Sequence, residues 1–255
     1  YASGPLLYRA SKKRIPTLIQ EQNSFPGITN RILANRVNKV CAGFPGLDKW
    51  FPKDRIVETG NPLREGVLKL ADSKSSPSKS VATSHFKIDL SKPVVFIMGG
   101  SLGALSMNMA VRNLLESSNN VLTYSIIWQC GARFFDENHQ WLEEFSKNNS
   151  KIADCVKCFG FINRMDLAYT ASDLIASRAG AMSISELALV AKPTLLIPSP
   201  NVAEDHQTKN AKSLVDRGAA ILIQDCDIVN RLKDHIEELL KDETTRKKME
   251  INLKN

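Results

Sequence analysis

No stretch of this sequence approaches the roughly 18–20 consecutive apolar residues that a membrane-spanning helix needs. A helical span within these 255 residues is therefore excluded. The opening Tyr1-Ala2-Ser3-Gly4-Pro5 has neither the basic lead nor the apolar core of a secretory leader. It lacks an initiator Met and reads like the middle of a loop, so the expectation is a fragment whose true N-terminus lies upstream. Cysteine is sparse and odd in number, at five, which points to a reducing compartment. Cys155 and Cys158 form a single CxxC. A zinc site would need a second pair or nearby histidines, and a redox pair normally opens a helix. Here the pair lies in DCVKCFGFI, a strand-like run, so core or surface cysteines are expected.

Familiar catalytic signatures are missing as well. There is no GxSxG elbow, no HExxH and no paired-carboxylate motif. Of the four histidines, His85 falls in a polar stretch, His139 and His235 fall on expected helices, and only His206 lies near a strand end. Either the chain is a binding module or its general base precedes Tyr1. No dense Arg/Lys stripe with interleaved aromatics appears, so no nucleic-acid partner is expected. The net charge of +7 is read as solubility or as attraction to anionic partners such as nucleotides and phospholipid headgroups.

What the sequence does have is an ordinary globular composition, 43% hydrophobic and 24% charged, and a strong central pattern. Val94 to Met98 is a β-branched apolar run, the mark of a buried strand. It breaks at Gly99-Gly100, passes Ser101, and regains helical periodicity from Leu102. A strand, a glycine turn and a helix make an anion site, because the first helical N–H groups lack intrahelical partners. Gly100, Ser101, Gly103 and Ala104 would place N–H groups and one hydroxyl there. The helix dipole adds roughly 0.3–1 kcal/mol for a nearby anion. The spacing GGSxGA is neither GxGxxG nor a Walker loop, so close packing by small residues remains an equal reading.

Around this centre, the chain alternates strands and helices. Residues 1–62 carry short elements, with strands near 17–19, 40–44 and 56–59 and helices near 5–13 and 26–36. QEQN (20–23) and GNPLR (60–64) follow strand ends, where open α/β sheets bind ligands. Residues 66–92 are Ser/Lys-rich and read as a linker or surface insertion. Strands then recur near 94–98, 123–128, 155–159, 173–176, 194–198 and 219–223, with helices between and a helical tail from about 228. This order predicts parallel sheets, right-handed crossovers and two α/β domains facing a cleft. A second polar cluster follows Ser177. Ser183 and Glu186 have capping-box spacing, which by itself favours a helix cap over a carboxylate for ribose hydroxyls. Asp205 and His206 open a helix after Pro198, as a cap or as a ligand contact.

The order of YASGP, QEQN, GNPLR, GGSLGA, SRAGAMSISE and the DHQ loop resembles the MurG-type glycosyltransferases, over nearly the whole chain. The resemblance implies a GT-B fold with two Rossmann-like parallel-sheet domains and an incomplete N-terminal domain. Residues 1–65 would close the acceptor-binding domain, 66–92 would link, and 93–255 would bind the UDP-sugar. It implies inverting transfer from UDP-N-acetylglucosamine to lipid I, undecaprenyl-diphosphate-MurNAc-pentapeptide, giving lipid II for peptidoglycan. Ser101 with Arg64 would meet the donor diphosphate, without metal or cofactor. Glu186 would hold the ribose, the Ile162 backbone the uracil, and Ala181, Met182 and Ser183 would line the pocket. Gln207 would contact the sugar, and Asn23 the donor from the facing domain. Tyr1 to Pro5 would end a loop for the acceptor diphosphate, and the base would be a histidine upstream of Tyr1. The implied setting is the cytoplasmic face of the bacterial membrane, with an anionic lipid surface as partner. Leu102 and Gln20 depart from the family's usual Gln and His, and the chain ends early at Asn255 for its last helix. A UDP-sugar epimerase, another GT-B transferase and a non-catalytic nucleotide-sugar module are the alternatives.

Overall fold

The computed structural model describes residues 3–72 and 74–254, without the side chains of Ala153 and Ala203. Tyr1 and Ala2, expected near an acceptor diphosphate, lie outside the described residues. The chain forms two all-parallel sheets, one of three strands and one of six. The GT-B architecture expected from the sequence is the one observed.

The first lobe contains α1 (Ser3–Lys12), β1 (Leu18–Glu21), α2 (Ile28–Leu33), β2 (Lys39–Ala42) and β3 (Ile56–Glu58), with strand order β1-β2-β3. Its core is Ile19, Leu33, Val37, Val40, Leu47 and Phe51. Strand β1 alternates exposed and buried, so Ile19 and Glu21 point inward. The helix expected over 26–36 is only six residues long.

The second lobe holds β4 (Val94–Met98), β5 (Ser125–Gln129), β6 (Val156–Phe159), β7 (Leu174–Ser177), β8 (Thr194–Leu196) and β9 (Ile221–Leu222). Their order is β6-β5-β4-β7-β8-β9. This is the doubly wound order, and it reverses direction between β4 and β7. Apolar alternation fills both faces. Val95 and Ile97 enter one core, with α5 (Leu105–Glu116) and α11 (Ile228–Lys241). Val94, Phe96 and Met98 enter the other, with α8 (Met165–Ala171), α9 (Ala181–Val190) and α10 (His206–Val215). Helices α6 (Phe135–Asn148), α7 (Ser150–Ala153) and α12 (Glu243–Lys254) complete the layers of this lobe. The expected single tail breaks at Asp242, whose carboxylate accepts bonds from Thr245 N–H at 2.9 Å and Thr245 Oγ1 at 2.6 Å and so starts α12 afresh.

Residues 66–92, expected as a linker or surface insertion, instead continue the second lobe. Glu65–Leu68 (α3) and Lys79–Phe86 (α4) are helical, and Val67, Ala82, Phe86 and Ile88 are buried in its second core. Serines and lysines dominate the composition there. Ala82 and Phe86, one turn apart, nevertheless give α4 an apolar face. Cys155 and Cys158 do not face each other as a pair. The Cys158 thiol contacts Cys130, the residue just after the adjacent strand β5, with the sulfurs 3.6 Å apart.

Candidate ligand site at the reversal of strand order

Loops leaving β4 and β7 diverge at the reversal point and enclose a cavity of about 590 Å³. In doubly wound sheets this crevice is where ligands bind. Its walls are the run Gly99–Ser106, Arg178, Gly180, Ser183, Ser199–Asn201, Gln207 and Asp225.

The β4 loop is longer than periodicity predicts. Helix α5 begins at Leu105, three residues after Leu102, because Gly100 (φ 84°) and Gly103 (φ 78°) are left-handed. The Gly103 N–H donates to the Gly100 carbonyl at 3.1 Å, closing a turn ahead of the helix. The two glycines serve different ends. A Cβ on Gly103 would lie 2.2 Å from the Cys130 carbonyl oxygen, whereas one on Gly100 would meet nothing within 4 Å. The close-packing reading therefore applies to Gly103, which approaches a neighbouring loop, whereas Gly100 bends the chain with open space beside it. Ser101 and Leu102 are exposed at the turn. Ala104 precedes the helix without a side-chain cap, so the first-turn amides of α5 are free to meet an anion.

Arg178 crosses the floor of the cavity. Its Nη1 donates to the Ile197 and Pro198 carbonyls at 3.1 and 3.2 Å and to Asp225 Oδ1, and its Nη2 donates to Ser106 Oγ at 2.8 Å. Ser106 Oγ donates to the same Asp225 oxygen at 2.7 Å. One guanidinium thus ties together the ends of β8, the first turn of α5 and the loop before α11. Arg178, Ser106 and Asp225 were not singled out from the sequence. The available signal was an Arg placed directly after a buried strand.

Gln207 braces two loops with one atom. Its Oε1 accepts from the Ala179 N–H at 3.2 Å and from the Ser199 N–H at 2.9 Å. Helix α9 starts at Ala181 with Gly180 before it, and no side chain caps it. Ser183 is therefore the third residue of the helix and Glu186 the sixth. This overturns the capping-box reading. Glu186 is 5% exposed. Its Oε2 accepts from the Tyr169 hydroxyl at 2.7 Å, and its Oε1 faces Arg64 Nε at 3.7 Å. Burial, and then the Glu186 charge, hold the Tyr169 phenol well above its usual pKa. Tyr169 therefore stays a proton donor to the carboxylate. It reads from sequence as a core aromatic, and only the fold gives it this role.

The expected site residues fall into separate groups. Ser101, Ser183 and Gln207 line the cavity. Arg64 sits against Glu186, with its side chain half exposed. Ala181 is buried and Met182 partly buried at the start of α9. The Ile162 side chain is 4% exposed in the second core, while its N–H and C=O make no hydrogen bond among the described residues. Asn23 faces the cavity's lobe from the end of β1. Its N–H and Nδ2 donate to Glu21 Oε1 at 3.0 and 3.2 Å. The Glu21 carboxylate is buried and also accepts from Gly27 N–H and Asn30 Nδ2, which shapes the β1–α2 loop. Asp205 does not cap α10, since it is left-handed and makes no capping bond. His206 Nε2 stands 3.8 Å from Glu204 Oε2.

Comparison with known proteins adds a family. Residues 94–255 match the family model described as Glycosyltransferase family 28 C-terminal domain. The chain is 42% identical over 256 residues to the UDP-N-acetylglucosamine--N-acetylmuramyl-(pentapeptide) pyrophosphoryl-undecaprenol N-acetylglucosamine transferase of Flavobacterium psychrophilum. That alignment spans 100% of this chain and 65% of the relative. The protein of the same description from Porphyromonas gingivalis is 44% identical over 245 residues, spanning 95% of this chain and 61% of its own length. Among solved structures, Acinetobacter baumannii MurG superposes with a TM-score of 0.71 at 28% identity, over 99% of this chain and 67% of that one.

Proposed function

Since the chain belongs to glycosyltransferase family 28, we propose that its protein transfers N-acetylglucosamine from UDP-N-acetylglucosamine to lipid I, yielding lipid II. The relatives it spans to 65% and 61% are named for that transfer. The observation that carries the reading is an anion-ready cavity at the end of β4, lined by Ser183 of α9, the helix that also carries the buried, hydrogen-bonded Glu186 carboxylate.

In this reading the donor diphosphate lies against Ser101 and the α5 amides. Negative charge grows on the leaving UDP as the anomeric C–O bond breaks, and fixed N–H dipoles stabilise it without a metal. Glu186 accepts from the ribose hydroxyls, held in place by Tyr169. Arg64 neutralises Glu186 in the free site and swings to the diphosphate when donor binds. The unbonded Ile162 backbone groups pair with the uracil edge. Ala181, Met182 and Ser183 shape the pocket, and Gln207 presents its amide to the sugar. The acceptor hydroxyl attacks the opposite face of the sugar, giving inversion, and a base takes its proton. As the family resemblance implies, we assign that base to a histidine upstream of Tyr1; His206 Nε2 stands 3.8 Å from Glu204 Oε2.

We divide the protein at about residue 65, with 66–92 serving the donor lobe. The membrane contact is placed on the first lobe. There, α1, the connection to β1, β1 itself and α2 expose Leu6, Ile15, Leu18 and Ile32 among Arg9, Lys13, Arg14 and Arg31, a composition suited to an anionic lipid surface at the cytoplasmic face. No described helix is long and apolar enough to cross a membrane.

The test is calorimetric titration of this chain with UDP-N-acetylglucosamine, UDP-glucose and ADP, repeated on Glu186→Ala. Selective binding of the first, lost in the variant, is expected. A full-length version should then label lipid I. Sugar release or epimer without a lipid acceptor would favour an epimerase, and donor binding without turnover would favour a binding module.

A further inference from the structure

Asn210, on α10, is 1% exposed and stands where three segments meet. Its Oδ1 accepts from the Ser24 N–H and from Ser24 Oγ, both at 3.0 Å. Its Nδ2 donates to Asn23 Oδ1 at 3.2 Å and to the Ala179 carbonyl at 3.3 Å. Two acceptor sites and two donor hydrogens are all a carboxamide has, so every one is used. Ser24 and Asn23 belong to the first lobe. Ala179 belongs to the turn that launches α9.

One helical turn earlier on the same face, Gln207 holds the other side of the same residue through the Ala179 N–H. The neighbouring Lys209 reinforces the lobe contact. Its Nζ sits 3.5 Å from the centre of the Phe25 ring and donates to the Glu204 carbonyl at 2.8 Å. Asn61 makes a second bridge, to Ser185 Oγ at 3.0 Å, further along α9.

We infer that Asn210 is a positioning residue that couples closure of the two lobes to the shape of the donor cavity. Its amide is a clasp: closing the lobes and fixing the turn before α9 are the same set of hydrogen bonds. The clasp also engages both ends of the Asn23 carboxamide, between Glu21 and Asn210. Among the described residues these bonds use one amide hydrogen and one acceptor site of Asn23, which leaves one of each to face a donor while the lobes are held together. The inference rests on the donor reading above for its ligand, but the clasp itself is testable without one.

The experiment compares this 255-residue chain with Asn210→Ala, Asn210→Asp and Ser24→Ala. Amide hydrogen exchange and small-angle scattering are measured without ligand, and calorimetric titration follows with UDP-N-acetylglucosamine. In Asn210→Ala, exchange at the Ser24 N–H should rise at least about tenfold and the radius of gyration should increase. Exchange in β4 and β5 should stay at the parent level. Donor affinity should fall roughly 5- to 50-fold. Asn210→Asp keeps the acceptors for Ser24 but cannot donate to Ala179, so it should protect Ser24 and still lose affinity. Ser24→Ala removes one bond on a partly exposed loop and should shift exchange and scattering in the same direction by less.

Unchanged Ser24 exchange and unchanged scattering in Asn210→Ala would overturn the clasp. If that variant loses protection in β4 as well, Ser24→Ala decides by the same two readouts. If the parent chain binds no donor, the functional reading fails while exchange and scattering still judge the clasp.

Discussion

Gly103→Ala and Gly100→Ala are a matched pair. Both residues are left-handed, at φ 78° and 84°, and both lie in the turn that opens the cavity. A left-handed alanine costs about 1–2 kcal/mol in either place. At Gly100 that is the whole effect, because nothing lies within 4 Å of the new Cβ. At Gly103 the Cβ would stand 2.2 Å from the Cys130 carbonyl oxygen, 2.7 Å from Phe134 Cδ2 and 3.0 Å from Gly131 Cα. Two of those neighbours are backbone and cannot rotate away. Overpacking of that kind adds about 1–3 kcal/mol and moves the turn itself. Each kcal/mol lowers Tm by about 2–4 °C at this chain length. Scanning calorimetry should therefore show a fall of roughly 2–8 °C for Gly100→Ala and clearly more for Gly103→Ala. Titration with UDP should show about a tenfold or greater affinity loss for Gly103→Ala alone, since only that change displaces Ser101 and the α5 amides. Equal Tm losses, or parental UDP affinity in Gly103→Ala, would refute the claim that this glycine is required by its contact with the β5 loop.

Glu186→Gln keeps the shape of the carboxylate proposed to hold the ribose but removes its charge. UDP affinity should fall about 10- to 100-fold, as charge-assisted hydrogen bonds are lost, and an unchanged titration would remove Glu186 from the site. Tyr169→Phe leaves Glu186 Oε2 buried without its donor and should destabilise the chain by about 1–3 kcal/mol, read from urea melts. The same variant tests a pH dependence. The folded-state pKa of Tyr169 is raised above its unfolded value near 10. Its contribution is therefore complete below pH ~10 and is lost as pH rises toward the folded value. Tyr169→Phe should flatten the alkaline fall in stability; an identical slope in both proteins would contradict the buried, protonated phenol. Arg178→Lys cannot hold two carbonyls, Ser106 and Asp225 with one ammonium. It should lower UDP affinity about tenfold, measured by calorimetry, whereas full retention would show that the floor of the cavity does not shape the site.

The sequence by itself determined the strands and their direction. Val94–Met98 and Leu174–Ala176 are apolar on both alternations, which a sheet covered on both faces satisfies. It also placed Ser101, Ser183 and Gln207 at strand ends, and therefore at one edge of the sheet. Local pattern misjudged three places, each for a physical reason. The start of α5 was set by two left-handed glycines, and hydrophobic periodicity does not sense φ. The Ser183–Glu186 spacing mimicked a capping box, although Gly180 already led the chain into the helix two residues before Ser183. The stretch 66–92 is polar in composition, yet a few apolar residues are enough to dock a short helix.

Only the tertiary structure decided which distant groups meet. Tyr169 and Arg64 flank Glu186 from α8 and from the connection after β3. Ser106 comes from the first turn of α5, and Arg178 and Asp225 from two separate loops. Asn210 reaches Ser24 across 186 positions of chain. Periodicity is a local quantity, fixed by the repeat of one helix or strand. The pairing of polar groups at the site depends instead on strand order, and that order is set by how two cores close around one sheet.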